Sequence, residues 1–343
     1  MITSLRTPPK PFLKLLLFGA LAAGLAFGIL TSRSLAQTSE MTPQTFTIQA
    51  GTFAPGNAEI LVFAPQSLQI HRGDTVTWMI NGFHDVRFDS APAELIVVSD
   101  VNGAPTPHIN PVVAFPSIEN GAVYQGGSVG SGLPLPPASP VFSLVMDVEP
   151  GTYSYVCDVH PGMVGVITVV ADDVAVPAPM EAAAQGANEF LAAVLATFQT
   201  APALDAESMM AEAGQVNAGS ENAGRTTFNQ FFPFITTITA GESVTWTNPD
   251  TNIEPHTVSW PPVRGQDAVP IEVEGGPPIL ALGPTGLPLN QSGDSVGVGD
   301  AFSSGIFFPG QSFTLTFTEP GTYPYTCNLH PAMNGVVVVL PAS

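Results

Sequence analysis

Beyond residue 36 the chain has no lysine and only four arginines, Arg72, Arg87, Arg225 and Arg264, against 28 aspartates and glutamates. Such a surface repels phosphate backbones and anionic lipid, which argues against nucleic acid as a partner. It could steer a basic partner, or simply keep the chain soluble in a salty or acidic exterior. Cysteine is almost missing, with two in 343 residues, so no disulfide framework holds the fold. Past the N-terminal segment long apolar runs are absent too. The apolar stretches are short and bounded by members of a set of 33 glycines and 35 prolines, a pattern of strands and turns and not of a helical bundle. Hydrophobic residues still make up 45%, enough to bury real cores and to exclude a disordered polymer.

Residues 1–36 differ from the rest. Arg6, Lys10 and Lys14 precede the apolar stretch Leu15 to Leu30, and Ser34-Leu35-Ala36 follows. A basic start, an apolar middle and small residues before a cleavage point make a signal peptide, or an N-terminal anchor if uncleaved. The expectation is export, to a periplasmic, extracellular or outer membrane-tethered location, with membrane contact only through this segment.

What remains repeats itself. Residues 48–78 lie over 216–246 at an offset of 168, matching Gly51 with Gly219, Phe63 with Phe231 and Val76-Thr77-Trp78 with Val244-Thr245-Trp246. Glu149-Pro150-Gly151-Thr152-Tyr153 matches Glu319-Pro320-Gly321-Thr322-Tyr323 at 170, and His84 matches His256 at 172. Small offset changes are what loop insertions between fixed strands produce. The chain is read as a tandem duplication, with domains at 41–171 and 214–343 and a linker at 172–213.

Within each copy the pattern is β. Thr75–Trp78 and Ser243–Trp246 are β-branched and aromatic after a Gly-acid turn, and Phe142–Met146 and Phe313–Phe317 alternate or nearly so. The expected fold is all-β: two tandem Greek-key β-sandwiches. Residues 89–140 and 261–308 are poor in strand pattern and are expected as ordered excursions or lids over one end. In the linker, Phe190, Leu191, Val194, Leu195 and Phe198 at helical spacing predict a short amphipathic helix over 189–200, packed on a domain.

Each copy carries its one cysteine in the same setting. The first reads Tyr155-Val-Cys157-Asp-Val-His160-Pro-Gly-Met163, and the second Tyr325-Thr-Cys327-Asn-Leu-His330-Pro-Ala-Met333. Cys, His and Met at spacings of three, on a loop after a strand, can turn toward one point. His84 or His256, expected on an upstream strand, closes each site. Two imidazoles, a thiolate and a weak axial thioether favour a blue-copper electron-transfer site, because soft sulfur suits Cu(I) and imidazole suits both oxidation states.

These segments resemble the cupredoxin family, and the Cys-x-x-His-Pro-x-Met-x-Gly loops are most similar to its amicyanin and plastocyanin type. The resemblance covers the strand and ligand blocks of both copies, not the excursions or the linker. It implies an eight-stranded sandwich and one type 1 copper per domain, two per chain, held by His84, Cys157, His160 and Met163 and by His256, Cys327, His330 and Met333. It further implies outer-sphere electron transfer to a donor and an acceptor redox protein through His160 and His330, as partly exposed ports ringed by apolar residues. Asp85, Thr257, Asp158 and Asn328 depart from the family's usual residues beside the ligands, which puts the potentials and the equivalence of the two sites in question.

Competing readings are weaker. A Cys157–Cys327 disulfide does not explain the matched His and Met, and structural zinc has no use for Met. Multicopper enzymes need further histidines. Of six, only His71 and His108 lie outside the pattern, and both are expected at the surface, so an enzyme would need ligands from a partner. A copper storage or delivery protein is the alternative to an electron carrier, although such proteins favour open sites. Arg72-Gly73-Asp74 spells an adhesion tripeptide, but its counterpart Ala240-Gly241-Glu242 identifies a turn.

Overall fold

Trp78 and Trp246, matched by the repeat, sit fully buried at the centres of two equivalent sandwiches. The computed structural model describes residues 42–135, 139–208, 212–222 and 225–342; the leader expected over 1–36 lies outside them. In the first sandwich the strand Thr75–Ile80 turns Val76, Trp78 and Ile80 inward, as the two-residue period of a strand requires. It pairs parallel with Thr45–Ala54 and antiparallel with Val141–Met146, which buries Phe142, Leu144 and Met146. The facing sheet runs Ser67–His71, Val164–Val170, Gly151–Val156, Arg87–Phe88 and Val129–Gly130. Between the sheets Trp78 meets Tyr155 edge-on at 5.4 Å, and Trp246 meets Tyr325 likewise at 5.2 Å. Such pairs add to area burial because ring edges carry the opposite partial charge to ring faces.

The two sandwiches share sheets. Strand Ala58–Ala64 pairs antiparallel with Thr226–Phe232 through Thr226↔Ile60, Thr227↔Glu59 and Phe228↔Ala58. These are equivalent strands of the repeat, and the pairing is centred on the equivalent positions Glu59 and Thr227, so it has the form of a two-fold contact. One ten-stranded sheet results, and each copy caps an edge that would otherwise offer free backbone groups.

The excursions contain more regular structure than expected. Ile96–Val101 and Ala104–Ile109 form a hairpin turning at Asn102-Gly103, both at positive φ, and Ala268–Ile271 pairs with Ile279–Leu282. The two hairpins join through Ile109↔Leu280 and His108↔Ala281 into a four-stranded sheet spanning both copies. Pro105 and Pro107 conceal the first hairpin from a strand pattern.

The linker helix is longer than expected and presents a different face. It runs Pro179–Ser208, 30 residues, and packs on Thr45–Ala54 and Ala58–Ala64. Its buried contacts are small: Ala182, Gly186 and Thr197, with Gly186 against the Ala64–Pro65 backbone where a Cβ has no room. Glu189 accepts a hydrogen bond from the Gln66 amide at 2.8 Å. Phe190 and Val194 are half-buried, while Leu191, Leu195 and Phe198 are exposed. Close backbone approach, not the apolar stripe, sets the docking. Among the described residues no helix is long and apolar enough to cross a membrane.

His71 and His108 are not surface residues. Both are buried: His71 Nε2 lies 2.8 Å from the Val174 carbonyl, and His108 bridges the Ser99 hydroxyl and the Ile109 carbonyl. Each is engaged by local polar groups and belongs to neither His–Cys–His group. Arg72-Gly73-Asp74 is the expected turn, in which Asp74 accepts from the His71 and Gln44 amides and Arg72 pairs with Asp147 and Glu149.

Candidate metal centres

Cys157 follows the last residue of strand Gly151–Val156, and its amide donates to the Met163 carbonyl at 3.0 Å while the Met163 amide donates to the His160 carbonyl. The loop therefore folds back on itself and presents Cys157 and His160 to one side. Cys327 and His330 are held identically through Met333. His84 lies in the loop before Arg87–Phe88, not on the preceding strand as expected, and His256 makes a single bridge to Phe307.

Behind each of these histidines stands a bulge glycine. Gly51 and Gly219, at φ 73° and 77°, mark the register shift in their strands, and a methyl at either would overlap the His84 or His256 ring. Their match in the repeat was the available signal.

In the first domain the Nδ1 atoms of His84 and His160 are 2.8 Å apart, and Cys157 Sγ lies 3.9 and 3.6 Å from them. The corresponding distances around Cys327 are 3.1, 3.9 and 3.5 Å. Among the described residues these two His–Cys–His groups are the sets able to hold a metal ion. A triangle of this size fits an ion bound at about 2.0 Å to nitrogen and about 2.3 Å to sulfur. The donor set of one thiolate and two imidazoles suits copper. Both cysteines are free and buried, which leaves no place for the disulfide. Met163 and Met333 are buried in the same cores as Cys157 and Cys327.

Both thiols are held toward the thiolate form by the imidazoles beside them. Burial pushes the Cys157 thiol up, but hydrogen bonds and charge from His160 and His84 outweigh it and bring it down to about 5. Cys327 is also buried, and His330 and His256 hold it well below the usual thiol range.

The four residues that depart from the family tie the ligand loops together. The Asp158 amide donates to Asp85 Oδ1 at 2.7 Å, and the Asn328 amide donates to Thr257 Oγ1 at 2.7 Å. Burial and the neighbouring Cys157 drive the Asp85 carboxyl well up, toward its neutral form. Asp158 pairs with buried Arg87, whereas Arg264 donates to the Cys327 and Asn328 carbonyls. In the second site the Thr257 amide also points at Cys327 Sγ, at 3.3 Å.

The outer imidazole edges hold what sequence reasoning missed. His84 Nε2 lies 3.3 Å from Glu59, and His256 Nε2 lies 2.9 Å from the Asn252 amide group. His160 Nε2 lies 2.8 Å from Glu254 Oε1, and His330 Nε2 lies 3.6 Å from Glu254 Oε2. The two sites thus face one another across the seam between domains, with a single carboxylate between them. This overturns half of the port expectation: the His160 side chain is only 2% exposed because the second domain covers it, while His330 keeps 14%. Both open on a cavity of about 270 Å³ with Phe53, Phe83 and Phe308 at its rim. Glu254 stands where the first copy has Gly82, so a comparison rewarding identity between copies passes over it.

Comparison with known proteins agrees with this geometry. The profile of copper-binding proteins of the plastocyanin/azurin family matches residues 50–170 and again 220–340. Plastocyanin of Synechococcus sp. is 29% identical over 161 residues, 46% of this chain and 91% of its own. Amicyanin-alpha of Methylorubrum extorquens is 32% identical over 148 residues, 43% of this chain and 94% of its own. Amicyanin of Paracoccus versutus aligns in structure over 38% of this chain and 83% of its own, at 25% identity and a TM-score of 0.23. With two matches to the profile, each spanning one sandwich and its ligand loop, the chain belongs to the plastocyanin/azurin family of copper-binding proteins, in a tandem two-domain form.

Proposed function

We propose that the chain is an exported blue-copper electron-transfer protein with one mononuclear type 1 copper per domain. Its ligands are His84, Cys157, His160 and Met163 in residues 41–171 and His256, Cys327, His330 and Met333 in residues 214–343, with residues 1–36 directing export. The observation that carries this reading is the pair of buried Cys–His–His triangles, each with its thiol held in the thiolate form. Bound copper supplies a single-electron couple. The chain's own residues hold the two imidazoles and the thiolate in fixed positions, exclude water, and tie the ligand loops through Asp85 and Thr257 so that the donors move little between oxidation states. The partners on this reading are a donor and an acceptor redox protein, a basic one being favoured by the acidic surface.

The test is copper content and visible absorption of the leaderless chain loaded with Cu(II). Two coppers with the intense thiolate-to-copper band are expected, and Cys157→Ser or Cys327→Ser should each remove one copper and one share of the band. Zinc in preference to copper, or copper without the band, refutes the proposal. Rapid loss of copper to a chelator would favour storage or delivery.

A further inference from the structure

Among the described residues Glu254 contacts the outer edges of ligand histidines from both sites, and it is itself buried at 3% exposure. Its counterpart is Gly82, at φ 113°, where a Cβ would run into the Glu59 carboxylate. The seam therefore carries one bridging carboxylate where two-fold symmetry would place two. Its contacts are unequal, 2.8 Å to His160 and 3.6 Å to His330.

We propose that Glu254 is a positioning residue that couples the two centres, so that the occupancy and charge of one site set the properties of the other. This rests on the copper reading above. An imidazole that binds a cation through Nδ1 becomes a stronger Nε2–H donor and draws a nearby carboxylate toward itself. One carboxylate cannot close fully on two rings, so charge gained at one site weakens support at the other. The contact lies out of solvent, where screening is weak and charge is felt strongly. By linkage the effect is reciprocal between the sites.

The inequality gives the coupling a direction. Closer negative charge stabilises the oxidised, more positive form, so the first centre has the lower potential. The Thr257 amide aimed at Cys327 Sγ acts in the same sense, because it withdraws charge from the second thiolate and raises the potential there.

The experiment is a redox titration of the full copper-loaded chain, compared with Cys157→Ala, whose first site is empty. In the wild type, filling the first site should raise the second centre's potential, equivalent to a change of about fivefold or more in its redox equilibrium. In Glu254→Gln that difference should collapse, and the first centre's potential should rise more than the second's. Glu254→Asp, which keeps the charge but withdraws it by one methylene, should fall between, and the thiolate-to-copper bands report folding of every variant. Equal second-centre potentials in the wild type and Cys157→Ala, or an unchanged difference in Glu254→Gln, overturn the inference while the copper reading stands. Absence of the band in the wild type overturns the copper reading and this inference with it.

Discussion

Gly51→Ala should damage one copper site and leave the other intact. Gly51 sits at φ 73°, in the left-handed region that costs a residue with a Cβ about 1–2 kcal/mol. The new methyl would overlap the His84 ring and the Asn81 carbonyl, and overpacking of this kind costs a further ~1–3 kcal/mol. The sum, about 3 kcal/mol, is a large part of the ~5–15 kcal/mol that holds a typical domain, yet it leaves the chain folded. Strain is relieved most easily by moving the His84 ring, whose other side faces Cys157 and His160. The control is Gly73→Ala: Gly73 also has positive φ, at 88°, but open space around it, so it bears the backbone cost alone. Urea denaturation of the metal-free chains, followed by tryptophan fluorescence, measures stability, and absorption after copper loading reads each site. Gly51→Ala should lose the first site's share of the band and Gly219→Ala the second's, and Gly73→Ala neither. If Gly51→Ala keeps both shares and unfolds where Gly73→Ala does, the glycine does not position His84 and the reasoning fails.

Arg87→Met strands the buried Asp158 carboxylate and should destabilise the chain by about 3–5 kcal/mol in urea denaturation. Adding Asp158→Asn, the residue that the second copy carries at Asn328, should recover most of that loss; no recovery would refute the ion-pair account. In metal-free Cys327→Ser, the Cys157 thiolate ultraviolet absorption should persist at neutral pH and vanish as pH falls through about 5, since a depressed thiol pKa keeps the thiolate above that value. Absorption that appears only near pH 9, the ordinary thiol value, would contradict the site electrostatics. Replacing Leu191, Leu195 and Phe198 with serine should shift stability by no more than about 0.5 kcal/mol per site, because these side chains face solvent. Gly186→Ala, with no room at Ala64–Pro65, should weaken helix docking and lower the midpoint far more.

The ligand loops were legible because Cys157, His160 and Met163 are neighbours in the chain, and the repeat supplied each with a twin. His84 was legible through the repeat alone, and its place in a loop was not. Glu59 reaches His84 from a separate strand, Glu254 reaches His160 from the other copy, and neither has a matching residue at its repeat position. Neither proximity nor repetition marks them. The joined hairpins were hidden for the same reason, since His108↔Ala281 is a pairing between copies. The helix exceeded its expected length because much of 179–208 is alanine, which favours helix by propensity without producing an apolar stripe.

The pairing centred on Glu59 and Thr227 also bears on how such a chain arises. A single copy could make the same antiparallel contact with a second molecule of itself, since equivalent strands meet and the register is symmetric. The tandem chain is, in this sense, a homodimer tied by a tether. In a true homodimer any change at the position of Gly82 would appear twice, setting two carboxylates against one another across the axis. Fusion frees the two halves to differ, as Glu254 and Gly82 do at one position of the repeat.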